Sequence, residues 1–295
     1  MIIFYFSGTG NSKYVAEAFC REMEKEKKNF TTEDCCPTDS LEVHGGFYTK
    51  ISSTPPCSSV SSVVFSSCYS IEEDVDFDSL INGEETIGFC YPIFFSRAPR
   101  IMREFVAKYM EALKNKKLII FCTQMILSGD GAKSLTYVFP REVRRSLNVI
   151  YAEHFFMPNN VTDWFILPVE SGKKLQKYIA RTEQKMQTIC KNIRRGKIKR
   201  RGFNIFSQML GLLQAVFVST MEKKAHKMLK INNNCNVCKV CVSICPTKNF
   251  VCENDKIMHK NNCTICYRCV NKCPQKAVTF IFNGKVKKQY NWSEE

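Results

Sequence analysis

The chain is 295 residues long, 44% hydrophobic and carries a formal net charge of +15, which excludes wholesale disorder and leaves room for two domains with a real core. The charge is uneven: 17 Lys/Arg against 22 Asp/Glu over residues 1–170, 16 against 2 over 171–230, and 10 against 4 over 231–295, so the basic excess belongs to the middle. Of 17 cysteines, eight fall in a regular double pattern and nine (20, 35, 36, 57, 68, 90, 122, 190 and 252) have no regular spacing, a usage that argues against a secreted disulfide scaffold and for a reducing, cytoplasmic compartment.

Ile2-Ile3-Phe4-Tyr5-Phe6 is an apolar run that stops at Ser7-Gly8-Thr9-Gly10-Asn11-Ser12, after which Tyr14, Val15, Ala18 and Phe19 recur at helical spacing. The predicted order is strand, tight loop, helix. Such a loop offers free backbone N–H groups and the positive end of the helix dipole to a phosphate, with no basic side chain required. The hydroxyls of Ser7, Thr9 and Ser12 and the Asn11 amide add donors. The spacing does not fit a Walker loop, and Lys13 stands where the dinucleotide fingerprint needs its third glycine. A glycine turn that binds nothing is the alternative. With no basic leader or small-residue cleavage site at this end, a signal peptide is not expected.

Residues 31–60 mix Thr, Ser, Pro, Cys and Gly with little periodicity and predict an irregular insertion, with His44 a surface histidine. Val63-Val64-Phe65 is the candidate second strand, and the acidic stretch 71–82 is expected on the surface. Thr86 to Pro92 reads as the third strand, which places Tyr91, Phe94 and Phe95 at a strand's carboxyl end, either flanking a planar ring or filling the core. A helical pattern follows from Ile101 to Leu113. The fourth strand, Lys117 to Cys122, runs into a loop from Thr123 through Gly129 to Gly131, with a helix predicted from Ala132 to Leu147. Val149 to Ala152 begins the fifth strand and leads to Met157-Pro158-Asn159-Asn160, whose asparagines either serve the ligand loop or, the favoured reading, act as turn and cap residues. Five strand–helix units predict an α/β domain over 1–170 with a doubly wound parallel five-stranded sheet.

Residues 171–230 form a basic helical connector. Lys173 to Arg195 is helical in pattern, Lys191 to Arg201 is densely cationic, and Phe206, Met209, Leu210, Leu213 and Phe217 recur at helical spacing. The apolar part contains Asn204, Gln208 and Gln214 and barely reaches spanning length. A helix docked between two domains is the expectation. Peripheral contact of 191–221 with an anionic membrane and a docking or nucleic-acid patch are the alternatives, and without a nucleic-acid-binding fold no nucleic acid partner is expected.

In residues 231–295, Cys235, Cys238, Cys241 and Cys245-Pro246 recur with the same spacing as Cys263, Cys266, Cys269 and Cys273-Pro274. A Cys-x-x-Cys turn points both sulfurs into one concavity lined by backbone N–H groups, so three thiolates at this spacing can wrap three corners of an iron–sulfur cubane. Zinc needs only two such pairs per ion and leaves the third Cys and the Cys-Pro unexplained. Disulfides suit secreted miniproteins. The Cys-x-x-x-Cys-x-x-Cys spacing of radical S-adenosylmethionine enzymes is absent.

The stretch from about Asn232 to Phe282 resembles bacterial-type ferredoxins with two 4Fe-4S clusters. That resemblance implies a small α+β domain in which the fourth Cys of each run crosses to the other cluster: Cys235, Cys238, Cys241 and Cys273 on one, Cys263, Cys266, Cys269 and Cys245 on the other. The chain departs from the family at Asn236, Val237, Lys239, Thr264, Ile265, Tyr267 and Arg268, where glycine is frequent in the turns. Ser7 to Ser12 resembles the phosphate loop of flavodoxins, which implies FMN, with Ser7, Gly8, Thr9, Gly10, Asn11 and Ser12 at its phosphate and Tyr91, Phe94, Phe95, Thr123 and Gly129 near its ring. With Met157-Pro158-Asn159-Asn160 between the two, the whole is similar to flavodoxin–ferredoxin fusion proteins regarded as electron-transfer components in anaerobes. The implied function is cytoplasmic electron transfer between redox partner proteins, coupling FMN to two clusters. The alternative is a flavin-free flavodoxin-shaped module that docks a ferredoxin to its partner. No catalytic acid, base or nucleophile is expected.

Overall fold

A computed structural model of the chain describes residues 1–33, 67–163, 167–281 and 284–292. β1 (Ile2–Tyr5) is buried from end to end, as a run of consecutive large apolar side chains must be, because alternate residues point to opposite faces and both need cover. Ile2, Phe4 and Phe6 enter one core, and Ile3 and Tyr5 enter another. The chain continues through α1 (Asn11–Glu33), β2 (Ser67–Ser70), α2 (Phe77–Asn82), β3 (Thr86–Pro92), α3 (Arg100–Lys108), α4 (Met110–Leu113), β4 (Lys117–Gln124), α5 (Gly131–Ser134), α6 (Arg141–Ser146), β5 (Asn148–Phe156), α7 (Lys173–Arg194), β6 (Lys199–Arg200) and α8 (Ile205–Met228). All six strands are parallel, in the order β2-β1-β3-β4-β5-β6. The first five follow the flavodoxin-like order, which puts the ligand crevice outside the carboxyl ends of β1 and β3, where the strand order reverses.

The structure departs from the sequence reading in several places. Residues 31–33 of the predicted insertion are helical, since α1 runs to Glu33; the rest of it, with His44 and the candidate strand Val63–Phe65, lies outside the described residues. The helix expected from Ala132 to Leu147 is broken: α5 passes into a 3-10 turn (Leu135–Val138), and Phe139 is extended (φ −78°, ψ 144°), the conformation that Pro140 imposes on the residue before it. Among the described residues the sheet has six strands, not five. The sixth comes from the cationic run, because Glu153 on β5, buried, draws in Lys199 (2.7 Å) and Arg201 (3.1 Å) as well as Lys185 of α7 (3.1 Å).

The C-terminal segment adds β7 (Lys230–Ile231), α9 (Val240–Ile244), β8 (Phe250–Glu253), β9 (Lys256–His259), α10 (Arg268–Lys272) and β10 (Val278–Thr279). β7 pairs with β10 and β8 with β9, both antiparallel, around a third apolar core. The two cysteine runs fold alike. Val237 (φ 58°), Lys239 (59°) and Lys248 (49°) have counterparts in Ile265 (60°), Tyr267 (59°) and Lys276 (50°). A left-handed non-glycine residue costs roughly 1–2 kcal/mol, so these turns are held against a local preference that the frequent glycines of ferredoxins do not have to oppose.

His154 sits beside Glu153 with its imidazole buried, and burial, reinforced by the charge of Arg201, lowers its pKa to about 4. Because the unfolded chain binds that proton near the ordinary value of 6.5, stability falls as pH drops through the window between the two, by up to ~3 kcal/mol. Glu153 is held down to about 2: burial opposes ionisation, but Lys199 and Lys185 outweigh it, so its contribution, intact above about 4.5, is lost only in stronger acid. Denaturant titrations at pH 7 and pH ~4.5 should show this loss, and His154→Gln should remove most of it.

Candidate cofactor-binding site

A cavity of ≈ 430 Å³ opens at the carboxyl ends of the strands, lined by Ser7, Gly8, Thr9, Asn11 and Ser12 on one side, by Phe94, Phe95 and the stretch Thr123 to Leu127 on another, and by Tyr267 and Ile281 from the cysteine-rich segment. The apolar run of β1 ends here because Gly8 and Gly10 turn the chain into α1. Gly10 has φ +104°, a conformation that favours glycine, and its N–H donates to Ser7 Oγ (3.0 Å). Ser12 Oγ pairs with Thr123 Oγ1 (2.8 Å), and Asn160 donates to Thr9 Oγ1 (2.9 Å). Among the described residues no protein acceptor meets the backbone N–H of Thr9, Asn11, Ser12 or Lys13. These are the open donors of a helix N-terminus, the arrangement that holds phosphate. Across the cavity, Gln124 Oε1 is buried and has no hydrogen-bond partner, while its Nε2 donates to the Ile126 carbonyl (3.3 Å).

The predicted residues beyond the glycine loop fall in different places. Tyr91 lies in the core: it shares a face of β3 with Ile87 and Phe89, is fully buried, and donates its hydroxyl to the carbonyls of Gly131 and Ala132. Gly129 does not line the cavity. A Cβ there would stand 2.4 Å from Ser207 O and from Gly211 N, so its small size lets α8 pack closely. Phe94 and Phe95 do line the cavity, and Phe95 also meets Phe217 of α8, with ring centroids 6.1 Å apart. Asn159 binds its own loop through Val161, Leu167 and Pro168, consistent with a turn role, whereas Asn160 reaches the cavity.

The eight patterned cysteines fall into two groups. Cys245, Cys263, Cys266 and Cys269 line one small space, and Cys235, Cys238, Cys241 and Cys273 line a second. Among the described residues no group of three or more His, Cys, Asp or Glu side chains converges closely enough to hold a single metal ion. Backbone N–H groups are aimed at sulfur in both groups: Asn249 to Cys245 Sγ (3.2 Å), Ile265 to Cys263 Sγ (3.4 Å) and Ala277 to Cys273 Sγ (3.3 Å). Asn249 Nδ2, buried beside the first of these spaces, has no partner. Burial raises the thiols: Cys241 and Cys263 to about 11 and Cys266 to about 12, with neighbouring cysteines adding to the shift and, for Cys263 and Cys266, nearby backbone N–H groups opposing it.

The two halves meet at the glycine loop. A Cβ on Gly8 would lie 2.1 Å from the Cys266 carbonyl oxygen, and one on Gly10 2.5 Å from Trp292 Cβ. Arg268 donates to the carbonyls of Ser7 (2.9 Å), Gly8 (3.4 Å) and Ile244 (3.0 Å) and to Glu72 (2.7 Å). Asp163, buried, accepts from Tyr267 Oη (3.2 Å) and from the Phe280 N–H (2.7 Å). Asn271 donates to the Asn160 carbonyl (2.9 Å). None of Arg268, Asp163, Asn271, Gln124 and Tyr267 was singled out as a cofactor-site residue from sequence: four of them act through partners far away along the chain, and Gln124 is marked only by the burial of its unpartnered Oε1.

No protein-family model and no curated protein matches the chain. Among solved structures it is similar to a flavodoxin from the domain Archaea, over 64% of this chain and 97% of that one, at 16% identity and a TM-score of 0.33. Strand order, independent of that likeness, defines the fold as α/β and flavodoxin-like, with a cavity at the switch point that takes one wall from a cysteine-rich segment.

Asp163→Ala leaves the Tyr267 hydroxyl and the Phe280 N–H buried without an acceptor, at about 1–3 kcal/mol per donor. Urea denaturation should register a loss of ~3 kcal/mol, and limited proteolysis should cut first in the cysteine-rich segment, which that carboxylate ties to the sheet.

Proposed function

We propose that this chain is an intracellular electron-transfer protein of the flavodoxin–ferredoxin type, in which an FMN site and two 4Fe-4S clusters share one wall and serve redox partner proteins. Tyr267 is the observation that carries this reading. It stands between Cys266 and Cys269, yet it lines the same cavity as the glycine loop. A cofactor in that cavity and a cluster on those cysteines would be separated by little more than one side chain.

The residues present fit both groups. For FMN, the cavity is of ligand size, the open N–H groups of residues 9 and 11–13 offer a cradle to a dianionic phosphate without a basic side chain, and Gln124 Oε1 lacks the donor that a ring N–H would supply. For the clusters, each of the two spaces is lined by one of the quartets that the crossing pattern implies, the left-handed turns face N–H groups toward sulfur in the manner of anion-binding nests, and the Asn249 amide lacks an acceptor that sulfide would supply. A single zinc ion needs its sulfurs about 2.3 Å from one point, whereas these quartets surround a volume.

When bound, FMN exchanges two electrons one at a time and each cluster one, so the pair interconverts two-electron and one-electron chemistry. The chain's own work is positional. The glycine loop anchors the phosphate end; Phe94, Met157 and Val161 exclude water; Arg268 clamps the loop onto the cysteine turn so that the two sites keep a fixed separation. Neutral buried thiols in the cluster-free chain mean that assembly releases protons, so reconstitution is favoured by mildly alkaline pH.

Anaerobic purification or reconstitution, followed by an absorption spectrum and iron, sulfide, zinc and flavin analysis, tests the reading. Ser7→Asp keeps an acceptor for the Gly10 N–H but puts a negative charge beside the phosphate site; it should weaken FMN binding by about a hundredfold, on the scale of ~3 kcal/mol of lost charge-assisted bonding, and leave iron and sulfide unchanged. Cys266→Ser should halve iron and sulfide and leave FMN bound. Zinc in place of iron and sulfide would refute the clusters, and iron and sulfide with no flavin would favour the docking module.

A further inference from the structure

α8 is built inside out. At 100° per residue, its half toward the protein carries Ser207, Gln208, Gly211, Gln214, Val218, Glu222 and Ala225, and its other half carries Ile205, Phe206, Met209, Leu212, Leu213, Val216 and Phe217. The inward half is engaged. Gly211 has no room for a Cβ against Asp130, Gln208 accepts from Lys133, Gln214 from Ser96, and Glu222 pairs with Arg103 (2.7 Å). The seven outward side chains are 61–80% exposed and together present on the order of 800 Å² of apolar surface, beyond the few hundred of an ordinary monomer.

Charge on the same face identifies what covers it. One turn past Thr220 the outward face changes from apolar residues to Lys223, Lys224 and Lys227, all exposed, and at the other end the helix is preceded by exposed Arg195, Lys197, Lys199, Arg200 and Arg201. Phe95, touching Phe217, extends the apolar surface to the rim of the cavity. An apolar stripe bounded by cations at both ends complements an anionic bilayer, whose acyl boundary takes the stripe while its headgroups meet the lysines. By length and composition Ile205–Ala225 could also cross a membrane, but crossing would strip Gln208, Gln214 and Glu222 from the partners that hold them. The geometry points to α8 lying in the plane of an anionic lipid surface, with the sheet and cysteine-rich segment on the water side.

Co-sedimentation of the full chain with vesicles of phosphatidylcholine, with and without about 30% phosphatidylserine, tests this independently of the cofactors. Binding is expected only with phosphatidylserine, and added salt should weaken it. Lys223→Glu/Lys224→Glu/Lys227→Glu, which alters exposed side chains alone, should weaken binding by about a hundredfold, and Phe206→Gln/Leu213→Gln by about tenfold or more. The proposal is overturned if the wild-type chain ignores both vesicles, if the lysine variant binds as well as wild type, or if bound protein resists extraction by alkaline carbonate as a spanning helix does. A lipid-free dimer that Phe206→Gln/Leu213→Gln dissolves would likewise overturn it in favour of a second copy.

Discussion

The contact on which the molecule depends is the one between the Gly8 backbone and the Cys266 carbonyl. The two come so close that no side chain fits at position 8, and the Arg268 guanidinium, bonded to the carbonyls of Ser7 and Gly8 on one side and of Ile244 on the other, fixes the approach. The carbonyls of Ser7 and Gly8 precede α1 and so receive no intrahelical N–H. Here they are spent on a cation from the second cysteine run, which leaves the loop's N–H groups pointing the other way, into the cavity. A single arrangement therefore joins the two halves and, among the described residues, leaves the N–H groups of Thr9, Asn11, Ser12 and Lys13 without internal acceptors.

The same logic of opposed charge organises the far edge of the sheet. Glu153 lies among apolar strands, where an isolated carboxylate would be costly to ionise. Three cations from α7 and from the segment around β6 surround it, so the run that looked like a tether between domains becomes the last strand. Because Lys199 and Arg201 are themselves half in water, the cluster's worth lies less in net stability than in where it sends the chain. It delivers α8 across the loops that follow β3 and β4.

What could be read from the chain alone was whatever depends on neighbours in sequence. Ile2 to Phe6 followed by two glycines announces a buried strand and a tight turn, and the repeated cysteine spacing announces two turns of like geometry, so the loop and the likeness of the two cysteine runs were legible. Alternation along β3 held a usable signal for Tyr91, since it shares parity with Ile87 and Phe89. Gly129 carried none: its smallness answers to the backbone of Ser207 and Gly211, which only the folded chain brings near. Asp163 and Arg268 were hidden for the same reason, because a polar residue reads as surface until its remote partner is known.

α8 inverts the usual relation between sequence and burial, and the inversion has a cause within the fold. The loops it covers end in Asp130, Ser96 and Lys133, polar groups that a leucine-faced helix would desolvate without compensation. A helix docked there must present glycine and amides inward, and Gly211, Gln208 and Gln214 do so. Its large apolar residues are then forced to the outside. Were solvent their only neighbour, that face would lose nothing by being polar, as the lysines farther along the same helix show. Keeping it apolar for three turns, and cationic immediately after, matches a surface that is oily beneath and negative on top.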